Sequence, residues 1–248
     1  MGRILKVCTI NLHGTQENDN LRFSEMASEL AELRPDLCAL QEVIVDGRKN
    51  TAERLAEMLG ELTGGRYYTH FVECHPFYGK YPEGVAILSS HPLKNAGAID
   101  LNHLGDLSPL LPRYAAVSEV ELNGRRLLFV SVHLDHHKNP MVRKVQVDKL
   151  FDGLEGRYHG AYHAVILAGD FNDTEDSLAV RSLRERRFID TYRTLNDDPG
   201  YTFPVKNPSM RIDYILVKGG AKPVSSWRIM GGRGLSDHFG VYAVIGLR

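Results

Sequence analysis

The chain has no long apolar run. No stretch approaches the roughly 18 residues that a membrane-spanning helix requires, so a transmembrane segment is not expected. The first residues, Met1 to Asn11, lack the apolar core of a secretory leader and read as a strand, which makes a cytoplasmic location the expectation. Cysteine is scarce: Cys8, Cys38 and Cys74 are odd in number and form no CxxC pair. That pattern excludes a disulfide framework and a thiolate zinc site, and it fits reduced, buried thiols. Charge of one sign is not in excess, with 30 Lys+Arg against 31 Asp+Glu. A protein that grips nucleic acid mainly through phosphates carries a basic surplus, so tight non-specific DNA binding is disfavoured while a local basic cleft remains allowed. No Gly/Ser linker, charge block or short repeat divides the 248 residues. One domain spanning residues 1–248 is expected, long enough to bury a large core.

What is present is an α/β rhythm. Arg3 to Ile10 is a short β-branched run and reads as a strand. Leu21 to Leu33 carries Phe23, Met26, Ala27 and Leu30 at helical spacing, and Pro35 stops it. Asp36 to Gln41 reads as a buried strand, and Asn50 with Glu53 forms a capping box opening a helix to about Leu62. The middle is strand-rich, at 66–74, 84–90, 94–101, 113–122 and 125–134. Asn123-Gly124 is a hairpin signal between the last two, and the strand after it is apolar on both faces, which predicts a central position. A helix at 140–156, a strand at 163–168, a short helix capped by Thr174, a loop over 193–210, and strands at 212–217 and 241–247 complete the reading.

Polar and acidic residues gather at the ends of these strands: Asn11, Glu42, His133, Asp170, Asn172, Asp213, Asp237 and His238. Such groups are costly to bury unless paired or bound to an ion, and strand ends along one rim are where α/β proteins build sites. A carboxylate-and-Asn set suits a hard, oxygen-seeking ion such as Mg²⁺. Each residue also has an ordinary structural explanation. Asn11 fits a turn, His133 a satisfied core histidine, Asp170 an Asx-turn, Asp213 a salt bridge to Arg211 or another base, and Asp237-His238 a strand cap.

The set, in order, is more specific than its parts. The stretches TINLHG (9–14), LQEV (40–43), VSVHLD (130–135), LAGDFND (167–173), RIDYILV (211–217) and LSDHFGV (235–241) resemble the endonuclease/exonuclease/phosphatase superfamily. EGVAILSSHPL (83–93), PRYAAVSEV (112–120) and TFP (202–204) support it, so the resemblance covers nearly the whole chain.

The resemblance implies a four-layer sandwich, two mixed β-sheets packed face to face with helices on the outer faces. It implies Mg²⁺, with Mn²⁺ able to substitute, held by Glu42 with Asn11 and Asp237 alongside. Asp170 would orient or deprotonate the attacking water, and Asn172 would hydrogen-bond the phosphate or that water. His238 would contact the phosphate with Asp213 fixing its ring, and His133 would make a second phosphate contact. Arg113, near the site by strand placement, is a candidate phosphate ligand or a solvated strand start. His136 and His137 read as a solvated loop, as does the basic stretch 181–187 as a helix face. Two loops, 75–82 with Phe77, Tyr78 and Tyr81, and 104–112, would decide the substrate or simply pack on their own domain. The implied partner is a phosphate-ester substrate, a small molecule or a nucleic acid; no protein partner is deducible. An abasic-site or DNase-like endonuclease is an alternative that the charge balance disfavours; a sphingomyelinase-like or phosphoinositide phosphatase is another, the first of these weakened by the missing leader and the absence of a long apolar hairpin. A catalytically silent module holding a phosphorylated ligand is the alternative of another class.

Overall fold

The computed structural model describes residues 3–15, 19–231 and 234–248. Its first sheet holds β1 (Arg3–Asn11), β2 (Leu37–Asp46), β3 (Lys49–Asn50), β4 (Tyr68–Phe77), β5 (Tyr81–Ser89), β12 (Ala221–Ile229) and β13 (Gly240–Leu247). The second holds β6 (Leu93–Asp100), β7 (Tyr114–Leu122), β8 (Arg125–His133), β9 (Ala164–Asp170), β10 (Ile189–Asp190) and β11 (Asp213–Gly219). Strand order is β12-β13-β1-β2-β5-β4 with β3 on β2, and β10-β11-β9-β8-β7-β6. The helices are α1 (Asp19–Leu33), α2 (Thr51–Thr63), α3 (Pro140–Arg157) and α4 (Leu178–Glu185).

Three apolar layers hold this together. Leu5, Val7, Ala39 and Ile87 from the first sheet meet Phe129, Ile166 and Ile215 from the second. Phe23, Met26 and Leu30 of α1 and Leu55 and Leu59 of α2 bury against the outer face of the first sheet. Val147, Leu150 and Leu183 of α3 and α4 do so against the second. The strict alternation along β1, one set of side chains inward and the other under α1, is the two-faced burial expected of a sheet covered on both sides. The expected four-layer sandwich is therefore observed. Local signals agree with it. Asn50 accepts from the Glu53 amide while the Glu53 side chain accepts from the Asn50 amide, and Gly64 ends α2 in the left-handed region. Asn123 and Gly124 both have positive φ, as a tight β7–β8 hairpin requires. The cysteines are buried and free.

Each sheet has one parallel pair at its centre, β1–β2 and β8–β9, and all other pairings are antiparallel. Parallel strands need a crossover. Here α1 and α3 supply it, so both pairs end on the same side of their sheet. Asn11 lies beside Gln41 at one set of ends and His133 beside Asp170 at the other. The β8–β9 approach is close at Gly169, where a Cβ would stand 2.0 Å from the Val132 carbonyl oxygen and φ is 152°. Gly169→Ala is expected to cost about 2–4 kcal/mol of stability, as strain and overpacking do, read as a lower thermal midpoint with the fold's circular dichroism retained.

Three expectations are corrected. Thr174 does not cap a helix: α4 begins at Leu178 with Ser177 as its N-cap, because Glu175 is drawn instead into ion pairs with Arg193 and Arg211. The 75–82 segment is not an open loop but the ends of the β4–β5 hairpin, with only a turn between Phe77 and Tyr81. The strand β12 was not anticipated. It is an edge strand with a register shift after Pro223 and mixed burial, which erases the period-two pattern.

Candidate active site

The site forms where the ends of the two parallel pairs face each other. Glu42 reaches it through a bulge: the β2–β5 register shifts between Leu40 and Val43, and Glu42 adopts φ 52°. A bulge re-aims a side chain off the ladder, and a positive φ on a non-glycine residue is a local cost that the surrounding strands must hold in place. Asn172, just past β9, also sits at positive φ, 47°.

A continuous polar chain crosses from one sheet to the other. The Asn11 amide Nδ2 donates to Glu42 Oε1 at 3.0 Å and to Asp170 Oδ2 at 3.2 Å. Its Oδ1 accepts from the His13 amide at 2.9 Å, which fixes the amide's orientation. Asp170 Oδ1 accepts from the Asn172 backbone N–H at 2.7 Å, while the Asn172 side chain donates to the Leu134 carbonyl at 2.9 Å. His133 Nε2 lies 3.5 Å and His238 Nε2 3.8 Å from Asp170 Oδ2. His238 Nδ1 is 3.0 Å from Asp213 Oδ2, and Asp213 pairs with Asp170 across β9–β11. Behind them, Ser236 Oγ donates to the Asn11 carbonyl and accepts from the His238 N–H, and the Phe203 ring lies 4.6 Å from the His238 ring.

Burial and charge set the protonation of these groups. Asp170 is raised to about 7, by burial first and then by the Asp213 charge, against the opposing pull of His238 and of its hydrogen bonds from Asn172 and Asn11. For His238, burial alone would lower the pKa; the charge and hydrogen bond of Asp213, with Asp170 and Asp237 beyond, override it and hold the ring up at about 10. His133 goes the other way, lowered well below the usual value by burial and by the positive Arg113 and His238. The site thus has one charged imidazole and one neutral one.

Asp170, Asp213 and His238 offer ligand atoms within 4.8 Å of one another, a spacing that would also suit a cation. The hydrogen bonding argues otherwise: Nδ1 is engaged by Asp213, and an imidazolium has no lone pair to give. The better fit for a hard ion is Glu42 and Asp237. Both line one cleft of about 700 Å³, and Asp237 Oδ1 is buried without a hydrogen bond, only 3.6 Å from His13 Nδ1. Their donor oxygens match Mg²⁺.

Asn11, Glu42, His133, Asp170, Asn172, Asp213 and His238 lie around this rim, and Asp237 shares the cleft that Glu42 lines. Arg211 does not pair with Asp213. It is held by Asp190, Nη1 to Oδ2 at 2.8 Å, and by Glu175. Arg113 is no solvated strand start: it is 3% exposed, and its Nε has no hydrogen-bond partner. Three groups escaped sequence reasoning. His75 Nε2 lies 3.4 Å from Glu83 Oε1, both buried. Burial and the nearby Glu42 charge raise Glu83 to about 7, with Arg113 opposing. Asp135 accepts from the Leu110 and Leu111 amides at 2.9 and 3.0 Å and from the His137 amide at 2.7 Å, tying the 104–112 loop to the end of β8. The signal for two of them lies in the family-like stretches EGVAILSSHPL and VSVHLD, which carry Glu83 and Asp135.

The model of the endonuclease/exonuclease/phosphatase family matches residues 8–238. The uncharacterized protein YbhP of Escherichia coli strain K12 is 28% identical over 98% of this chain and 96% of its own length. Among solved structures, an endonuclease/exonuclease/phosphatase family protein from Leptotrichia buccalis superposes with a TM-score of 0.82 at 25% identity, covering 96% of this chain and 98% of its own. A mannosyl-6-phosphatase from Bacteroides thetaiotaomicron superposes with a TM-score of 0.76 at 18% identity, covering 97% and 99%; at that identity the likeness is one of fold.

Proposed function

The chain belongs to the endonuclease/exonuclease/phosphatase family, and from that premise we propose that it is a Mg²⁺-dependent hydrolase of phosphate esters acting by in-line attack of water, as a single domain. The observation that carries this reading is the unbroken chain Glu42–Asn11–Asp170 next to the charged His238–Asp213 pair. That arrangement supports reading a base, a cation and metal-binding oxygens along one rim.

Each role follows from the local chemistry. Asp170, with both oxygens held and its proton affinity raised toward neutrality, suits a base that takes a proton from water. Asn11 and the Asn172 amide fix its orientation. His238, kept charged by Asp213, donates from Nε2 to a non-bridging phosphate oxygen as negative charge develops there. His133 is neutral and donates a hydrogen bond rather than charge. Arg113 would supply a permanent cation to the phosphate, with the Glu83 carboxyl close enough to feel its charge. Glu42, Asp237 and Asn11 would hold the ion, which when bound polarises the phosphate and neutralises its charge.

A panel of phosphomonoesters, a generic phosphodiester, an abasic duplex, single- and double-stranded DNA, RNA and sphingomyelin, each with Mg²⁺ and with EDTA, tests the reading. Activity on one class that EDTA abolishes and Mg²⁺ or Mn²⁺ restores is the expected result. Glu42→Gln should raise the Mg²⁺ concentration needed for half-maximal rate by about tenfold or more, in line with the loss of a metal ligand or its support. Hydrolysis that persists in EDTA would refute the metal assignment. Binding of phosphorylated ligands without any turnover would favour the silent binding module.

A further inference from the structure

Each crossover helix sends one arginine back to the catalytic rim. Arg22 is the fourth residue of α1, which follows β1, and Arg143 is the fourth residue of α3, which follows β8. Both side chains are buried, at 5% and 7% exposure, and neither lines the cleft that Glu42 and Asp237 share. Their donors go instead to the segments that carry the site.

Arg22 Nη1 donates to the Leu12 carbonyl and, at 2.9 Å, to the Leu235 carbonyl, and Nη2 donates to the Gly14 carbonyl at 2.9 Å. Nε and Nη2 also donate to Asp19 Oδ1 at 3.1 and 2.7 Å, which pairs the charge within its own helix. Leu12 and Gly14 flank the turn directly after Asn11, where His13 and Gly14 have φ of 55° and 53°. Leu235 precedes Ser236, Asp237 and His238. One guanidinium thus ties the Asn11 end of β1 to the segment that delivers His238. Arg143 does the same on the second sheet. Its Nη1 donates to the Asp135 carbonyl at 3.1 Å and to the His137 carbonyl at 2.6 Å, just beyond His133. Its Nε stands 2.9 Å from Asp173 Oδ2, beside Asn172, as an ion pair without hydrogen-bond alignment. Gln146, on the next turn of α3, accepts from the Asp135 N–H at 2.9 Å.

Carbonyls past a strand end have left the ladder and, when buried, need another donor. A guanidinium offers five N–H donors in one rigid plane, so it fixes the groups it reaches relative to each other, which a flexible ammonium does not. Here each fork spans two separate segments, Asn11 with His238 for Arg22 and His133 with Asn172 for Arg143. A displacement of about 1 Å within such a constellation costs on the order of 10²-fold in rate. We propose that Arg22 and Arg143 are positioning residues for phosphate-ester hydrolysis, each holding two segments of the site at working separation without touching the substrate. The inference rests on the hydrolase reading for what those segments do.

The test combines kinetics with a spectroscopic readout on the full chain. Arg22→Lys and Arg143→Lys keep the charge and lose the fork. Each is expected to lower kcat on the best phosphate ester by about 10–10²-fold, counted per folded molecule by circular dichroism below the thermal midpoint. In Arg22→Ala and Arg143→Ala, guanidinium at concentrations too low to denature should restore kcat, and methylammonium should not. The ring signals of ¹⁵N-labelled histidine, recorded in EDTA and assigned by their loss in His133→Gln and His238→Gln, need no turnover. Arg22→Lys should move the His238 signals and leave those of His133; Arg143→Lys should do the reverse, a crossed pattern that general loosening of the fold would not produce. Lysine variants that turn over within threefold of wild type, lysine variants that do not fold, no restoration by guanidinium, or ring signals that move together at both histidines would each overturn the proposal. Absence of Mg²⁺-dependent hydrolysis in the wild type would defeat the hydrolase reading, whereas the crossed pattern would still decide whether the two arginines set the positions of these segments.

Discussion

Asp170→Asn is expected to lower kcat on the best phosphate ester by about 10²–10⁴-fold, the usual range for loss of a positioned base, with little change in KM. The substitution keeps the shape of the side chain. Asn172 can still donate to the remaining carbonyl oxygen, so the turn after β9 should persist. What disappears is the group able to take a proton and, with it, the oxygen that accepts from the Asn11 amide. Stability should move the other way. A carboxyl whose folded pKa is raised to about 7 is penalised when ionised, so a neutral amide at this buried position should hold or raise the thermal midpoint at pH 8 in EDTA. Turnover within threefold of wild type would remove Asp170 from the role of base. A collapse of stability would show instead that the carboxylate is structural.

His238→Gln is expected to cost about 10²–10³-fold in kcat, comparable with removing one charge-stabilising donor from a transition state. It carries a second signature, set by its pairing with Asp213. The folded pKa of His238 is about 10, above its ordinary value of 6.5. A raised histidine contributes stability that is fully present below pH 6.5 and is lost as pH rises through 10. In the metal-free wild type the thermal midpoint should therefore fall across pH 6.5–10, by an amount on the order of a few kcal/mol in stability. Asp170 adds to the same trend earlier, between its ordinary 3.8 and about 7, because it too binds its proton more tightly when folded. His238→Gln should flatten the upper window. An unchanged slope would mean that the imidazole is not held charged by Asp213.

Much of this was legible in the chain because the site is built from strand ends, and strand ends are where apolar runs stop. Asn11, Glu42, His133 and Asp170 each follow a buried run, and the face-to-face packing of the two parallel pairs then brings them together. The capping box at Asn50 and the Asn123-Gly124 hairpin are local devices and were read at their positions for that reason. What could not be read is what depends on distant partners. Glu175 looks like first-turn helix chemistry until Arg211, 36 residues on, claims it. Arg113 looks like a solvated strand start until His75 and Glu83 of the other sheet are placed near it. The β12 edge carries no clean alternation, so no period marked it. The bulge that turns Glu42 into the cleft is invisible in the letters LQEV, since it arises from a register mismatch with β5.

The pairing of β13 with β1 joins Thr9 to Val241 and Arg3 to Leu247, residues from opposite ends of the described chain. Contacts of such long range are slow to form and leave sheet edges exposed until they do. As the chain emerges from the ribosome, β1 must wait beside β2 with one edge open while residues 47–239, the rest of both sheets and their helices, are made. His238 arrives with that final strand. No nascent fragment can therefore hold both the His238–Asp213 pair and the Asn11–Asp170 bond, and cleavage of phosphate esters during synthesis is shut off until the sheet is closed by the last strand to appear.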